Sequence, residues 1–224
     1  MARLWICRAL LGCVALASVG NAQSIPWNIR AGGGLGVALV SMPALSDYAN
    51  AVGNPSIQDR VEEFQSVGEL AAFGEVRLTD SWAMGLFWGR IVKTIQTNRG
   101  VPAAGWEFET TLSMPTVLVR RSLETESISF QVSGGVGPYR GTLVQRYLPA
   151  GAENSYSGRG LGWMVQASAF APLDEHFLAG VAADLRWSDV SRLTDGAGNA
   201  PTYAGRTADL SLFHLSLQFL LLAQ

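Results

Sequence analysis

Between residues 177 and 187 the chain alternates strictly: Phe177, Ala179, Val181, Ala183, Leu185 and Trp187 fall on one side, Gly180, Ala182, Asp184 and Arg186 on the other. Successive side chains of an extended chain point to opposite faces, so this segment is predicted to be a strand with one oily face. The split recurs over 161–171 (Leu161, Trp163, Val165, Ala167 against Gly162, Gln166, Ser168) and over 128–136 (Ile128, Phe130, Val132, Val136 against Ser129, Gln131, Ser133). It recurs again over 106–118, with Trp106, Phe108, Leu112, Met114 and Leu118 set against Glu107, Glu109, Thr111 and Ser113. Leu70, Ala72, Val76 and Leu78 oppose Glu69, Glu75 and Arg77, and Ile29, Ala31, Leu35, Val37 and Leu39 oppose Arg30 and a run of glycines. Two further segments are less regular: 82–94 slips near Arg90, and 208–222 becomes clean only from Phe213. A bulge in each restores the pattern.

The connections alternate in length. Residues 79–81, 122–127 and 172–176 are short and polar, whereas 41–66, 97–105, 141–159 and 189–206 are long and rich in Gly, Pro, Asn and Ser. Eight strands with three tight turns at one end and four long loops at the other predict an all-β, eight-stranded antiparallel up-and-down transmembrane β-barrel, its short turns periplasmic and its long loops extracellular. Inside the first loop, Leu45, Tyr48, Ala49 and Val52 recur at helical spacing, as do Ile57, Val61 and Phe64 behind Ser56. Either could be a short rim helix. A hairpin at 57–67 would instead make ten strands.

A soluble lipocalin-like barrel or a secreted sandwich would alternate too, with its oily face inward. The aromatic residues argue for the other sign. Trp82, Phe177 and Phe219 stand near the short-turn end and Trp106, Trp163 and Trp187 near the long-loop end, bracketing an aliphatic band as two membrane interfaces do. Composition agrees: 48% of the 224 residues are apolar and only 15% charged, against roughly 25% charged in soluble domains. The net charge of −2 is spread without a basic stripe, which argues against nucleic acid as a partner. After residue 22 no run of apolar residues is long enough for a helical span.

Residues 1–22 read as a signal peptide: Arg3, an apolar stretch from Leu4 to Val19 interrupted by Arg8, then Gly20-Asn21-Ala22, with cleavage expected after Ala22. Both cysteines, Cys7 and Cys13, fall in this leader, so the expected exported domain, 23–224, contains no thiol.

Gly32-Gly33-Gly34-Leu35-Gly36 in the first strand, Gly134-Gly135-Val136-Gly137-Pro138-Tyr139 in the fifth, and the segment Gly180–Trp187 together resemble the small eight-stranded outer-membrane β-barrel proteins. These are OmpA/OmpX-like in architecture and include many uncharacterised outer membrane β-barrel domain proteins. The resemblance covers most of 28–222. It implies a bacterial outer-membrane location reached by export, contact with outer-membrane lipid and lipopolysaccharide, and insertion by the outer-membrane assembly machinery. It also implies a non-enzymatic role in envelope integrity or surface interaction. Pro115 departs from the pattern, because a closed barrel offers no free edge for a mid-strand proline.

The polar faces place Arg30, Glu69, Glu75, Arg77, Glu107, Glu109, Asp184 and Arg186 inside, with Gln131, Gln166 and His214 among the neutral members. A lumen this narrow holds only its own side chains, so these charges are expected to neutralise one another as an internal plug. A narrow channel for small or apolar solutes is the alternative. His214 and Ser216 share the two-residue spacing of the lipid A deacylase pair, but no Asp or Glu follows Asp209 to complete that motif. No cofactor motif and no metal-ligand spacing is present. Surface binding, if any, would fall to the loops, where Arg146, Tyr147, Tyr156 and Arg159 mix aromatic and cationic groups suited to lipopolysaccharide phosphates or another surface ligand.

Overall fold

The computed structural model describes residues 29–53, 60–98, 105–125, 127–148 and 150–223. The leader, its cleavage point, Ser56 and Ile57 lie outside the described residues. Eight long strands close into a barrel: β1 (Ile29–Ser41), β2 (Phe64–Arg77), β3 (Trp82–Asn98), β4 (Gly105–Glu124), β5 (Ser129–Tyr147), β6 (Ala152–Pro172), β7 (Phe177–Asp189) and, after a small ribbon, β10 (Leu212–Ala223). Chain neighbours pair antiparallel all the way round, and β1 closes against β10 from Ala31↔Ala223 to Ser41↔Phe213. The ribbon, β8 (Thr202–Tyr203) with β9 (Arg206–Thr207), stands in the last loop, and a helix, α1 (Pro43–Gly53), fills the first. Tight turns join β2 to β3, β4 to β5 and β6 to β7, as the connection lengths predict.

The barrel has eight strands and not ten: β2 begins at Phe64, and residues 60–63 are neither strand nor helix. The expected bulges are also absent. β3 pairs with β4 without interruption from Trp82↔Arg121 to Asn98↔Gly105, and β10 with β7 from Leu212↔Ser188 to Ala223↔Phe177. Arg90 is simply an outward residue near the long-loop end. The segment 141–159, expected as a loop, is mostly strand: β5 and β6 run on as a projecting hairpin, paired as far as Tyr147↔Ala152.

Pro115 finds its explanation in the β4–β5 register. That ladder is interrupted between Ser113↔Arg140 and Val117↔Val136, and the unchanged register sets Pro115 opposite Pro138. Two residues without an N–H therefore face each other across one gap, so the donors this ladder lacks are missing at a single place and pairing resumes on both sides of it. Gly137 completes the joint, because a Cβ there would collide with the Pro115 carbonyl.

The two faces sort as expected on β1, β2, β5, β6, β7 and β10. Leu35, Val136, Leu161, Val165, Leu217 and Phe219 are exposed on the outside, while Glu69, Asp184, Arg186, His214 and Gln218 are buried inside. On β4 the assignment reverses. Phe108, Leu112, Met114, Leu118 and Arg120 are buried within the barrel, and the opposite parity carries Pro115, Val117 and Val119 outward. From Met114 to Val119 both faces of β4 carry apolar residues, so alternation there does not distinguish them. The larger residues went inward because the lumen contains greasy layers as well as charges.

Those layers are two. Near the short-turn end Phe73, Phe87, Leu118, Met164, Phe170, Leu220 and Leu222 pack together. Towards the long-loop end Ile91, Ile95, Phe108, Leu112, Tyr139 and Leu143 meet Leu45, Tyr48, Ala49 and Val52 of α1 and Val190, Leu193 and Leu210 of the last loop. The helix predicted from residues 44–52 thus buries its apolar stripe in the barrel mouth. On the outside of β5 the positions from Ile128 to Pro138 are uncharged. Ten residue steps along a strand tilted about 40° span about 25 Å, the height of an outer-membrane apolar band. Among the described residues no helix is long and apolar enough to cross a membrane, which says nothing about strands.

Candidate functional site: the lumen network and the long-loop rim

Between the greasy layers lies a buried ionic cluster. Arg186 on β7 reaches across the lumen to Glu69 on β2 at 2.5 Å and holds Asp184, two residues away on its own strand, at 2.8 Å. All three side chains are inaccessible to solvent. Period-two geometry puts 184 and 186 on one face, and closure of the barrel brings β2 opposite. The guanidinium also lies over the Phe87 ring, 4.7 Å from its centroid. Gly89 on β3 makes the room: a Cβ there would strike Arg186 Nη1 and Glu69 Oε1.

His214 on β10 completes the cluster, its Nε2 3.4 Å from Glu69 Oε2 and its Nδ1 3.6 Å from Asp184 Oδ1. Ser216 donates to Asp184 Oδ2 at 2.7 Å, and the Gln218 amide donates to Asp184 Oδ2 at 2.8 Å and to Glu69 Oε2 at 3.0 Å. Glu69, Asp184 and His214 offer ligand atoms within 4.8 Å of one another. A metal there would compete with Arg186, which already brings positive charge to both carboxylates. The histidine and serine read together from sequence are therefore side by side, but Ser216 bonds to Asp184 and not to the imidazole. A nucleophile–base hydrogen bond, the geometry that acyl transfer needs, is not formed.

A second buried pair lies one layer away. Arg120 on β4 donates to Glu75 on β2 at 2.5 Å and to Gln166 Oε1 at 3.3 Å, with its guanidinium 5.5 Å from the Phe73 ring centroid. Arg120 is the interior cation that sequence reading misses. Arg121 beside it is equally basic, and only the parity of β4 separates the two: Arg121 faces out, over the Trp82 ring at the rim. A buried Glu75 demanding a cation from a neighbouring strand is the signal that could have found it. Arg30 is buried as expected, and Arg77 sits at the lumen edge on Glu124, 2.6 Å away.

Glu107 and Glu109 do not join the interior. With β4 reversed they point outward above the apolar band, where Arg146 pairs with Glu107 at 3.0 Å, Glu109 at 3.6 Å and Glu153 at 2.8 Å. Trp106, by contrast, is on the inner face, packed against the upper apolar cluster with its ring 4.8 Å from that of Tyr147 and tilted 40° to it, so it is not an interface aromatic. Trp82, Trp163, Phe177, Trp187 and Phe219 are exposed on the outer wall, joined by Trp88. The four residues expected as a loop-binding group are dispersed. Arg146 is taken by carboxylates, Tyr147 by Trp106, and Tyr156 packs on the upper cluster. Only Arg159 remains exposed on the wall.

The fold is that of outer-membrane barrels. Neisserial surface protein A aligns with a TM-score of 0.51 at 7% identity, over 87% of this chain and 96% of that one. The outer membrane protease OmpT from Escherichia coli aligns with a TM-score of 0.52 at 9% identity, over 92% of this chain and 99% of that one. No protein-family model and no curated protein sequence matches the chain. At such identities the likeness is one of architecture, and the resemblance to small OmpA/OmpX-like barrels is of that kind.

Proposed function

We propose that this chain is a non-enzymatic outer-membrane β-barrel protein of the bacterial envelope, a rigid plugged frame that acts in envelope integrity or surface interaction through its long-loop end. One observation carries the reading: the lumen is filled. Two apolar layers, the Arg186 cluster between them, the Arg120–Glu75 pair at the short-turn side of the lower layer, and α1 seated in the mouth occupy the space that a water path would need. The apolar outer wall supports insertion in lipid, since a water-soluble protein rarely exposes contiguous apolar patches beyond a few hundred Å². Export through a cleaved leader, lipid and lipopolysaccharide as neighbours, and delivery by the outer-membrane assembly machinery belong to the same reading.

The alternative is a narrow channel for small or apolar solutes. Planar-bilayer recording separates the two. A plugged frame gives no unitary steps in salt, whereas reproducible steps from the wild-type barrel contradict it. A lipid A-modifying activity would need a reactive group within reach of acyl chains, and Ser216 is buried and already bonded to Asp184.

A further inference from the structure

One hydrogen-bonded row crosses the outer wall: Arg90 on β3 pairs with Ser113 on β4, Ser113 with Arg140 on β5, and Arg140 with Arg159 on β6. Arg90, Arg140 and Arg159 are all exposed. Arg140 and Arg159 are direct cross-strand neighbours, a like-charge juxtaposition that costs stability unless an anion lies between or beside them. The ladder continues into the last loop, where Ser157 and Thr194 exchange backbone hydrogen bonds at 2.9 and 3.0 Å. Those bonds fix the segment carrying Arg192, whose φ of 62° lies in the left-handed region. A surface cavity of about 420 Å³ results, lined by Arg140, Arg159, Arg192, Thr142, Ser157 and Thr194.

Of the carboxylates around this cavity, Glu107, Glu109 and Glu153 converge on Arg146, and Asp195 is held by Ala197 and Asn199. Asp189 takes hydrogen bonds from Ser191 and Ser211 and also lies in the field of Arg192. Among the described residues neither Arg140 nor Arg159 has a carboxylate within ion-pair distance. The height of the cavity is equally specific. Pro138 and Leu161 lie directly below the two arginines on the outer face, and Trp163 and Trp187 one step further down. The cations therefore stand immediately above the tryptophan level, where polar head groups begin.

We infer that this Arg140–Arg159–Arg192 cavity is a binding site for the phosphate of an outer-leaflet glycolipid, with guanidinium forks on the phosphate oxygens and the Thr142, Ser157 and Thr194 hydroxyls beside them. The site rests on the outer-membrane reading and adds a ligand to it. A phosphate needs several converging donors that no acid already holds in an ion pair; three arginines and three hydroxyls line the cavity, and Arg140 and Arg159 carry no ion pair among the described residues. The lipid tail would lie along Leu161 and Val165.

The test uses the folded barrel in phosphatidylcholine nanodiscs doped with lipid A, with the same lipid A stripped of its phosphates, or with inorganic phosphate in the buffer, read by native mass spectrometry. Wild-type protein is expected to retain phosphorylated lipid A at least tenfold over the stripped lipid. R140Q/R159Q is expected to lose that preference while keeping the heat-modifiable migration of a folded barrel, and R146Q to keep it. Equal retention of the two lipids, or a preference that survives in R140Q/R159Q, overturns the site. Should R140Q/R159Q not fold, the wild-type preference measured against rising salt decides, since a phosphate contact weakens and an acyl-chain contact does not. Displacement of the lipid by millimolar inorganic phosphate would make this a free-anion site and overturn the glycolipid assignment. A wild-type barrel that fails to insert at all contradicts the outer-membrane reading itself, so the two failures are distinguishable.

Discussion

Arg186 neutralises two carboxylates from inside a space that excludes water, and removing one member of such a set leaves charge buried without a partner. Arg186→Met is expected to destabilise the barrel by about 3–5 kcal/mol, read as the shift in urea-induced unfolding in lipid vesicles. Arg206→Gln, which breaks an exposed pair with Asp47 3.0 Å away, is expected to change stability by less than about 1 kcal/mol. Comparable losses in both variants would contradict the distinction. Gly89→Ala belongs to the same prediction, because its methyl group meets Arg186 and Glu69. It should lower the unfolding midpoint, whereas Gly196→Ala, where a Cβ meets nothing within 4 Å, should leave it unchanged.

Elements were legible in the sequence wherever one face was plainly oily and the other plainly polar. β7 and β10 sort residue for residue because Asp184, Arg186, His214 and Gln218 mark the inner face. β4 did not, because Val117 and Val119 are as apolar as Leu112 and Met114, and Glu107 and Glu109 lie beyond the band where facing ceases to report on membrane or lumen. The 141–159 segment misled differently: its Gly, Ser and Asn content suggested a loop, yet backbone pairing continues to the Tyr147–Ala152 closure. The last loop has an internal device of its own. Asp195 accepts backbone hydrogen bonds from Ala197 and Asn199 at 2.9 and 2.8 Å and one from the Asn199 amide at 3.0 Å. Led by the Asn199 side-chain bond, these hold its pKa below the ordinary value of 3.8. A carboxyl depressed in the folded loop favours the ordered turn at pH above 3.8, and that contribution disappears as pH falls through the lower folded value. Amide exchange at Ala197 and Asn199 should accelerate below pH 4 beyond the intrinsic trend, and D195N should reduce that added acid response. An identical profile in both proteins would contradict it.

For the whole molecule, the distinctive result is a barrel built from two opposed solutions to burial: apolar side chains facing outward, and a lumen where ion pairs are layered between hydrophobic clusters. Alternation and aromatic placement made the closed antiparallel barrel readable before any coordinates. The lumen's greasy layers and the seating of α1 in the mouth were not readable, since which strands face one another depends on closure and not on local pattern. Truncating the plug tests its role: replacing Leu45 and Val52 together by Ser is expected to loosen the mouth and raise bilayer conductance from none to measurable steps, with the barrel still folded. Unchanged silence in that variant would assign the seal to the deeper layers alone.

The most direct measurement concerns which side of the wall meets lipid. Single cysteines at consecutive positions 180–187 of β7, in the otherwise thiol-free 23–224 segment, are labelled with a bimane fluorophore while unfolded, folded into vesicles, and read with a lipid-confined nitroxide quencher. Quenching should rise at Val181, Ala183 and Leu185 and fall at Ala182, Asp184 and Arg186, a period of two with the oily side in the acyl chains. The opposite phase, or uniform exposure to an aqueous quencher, would mean that this cylinder does not live in a membrane.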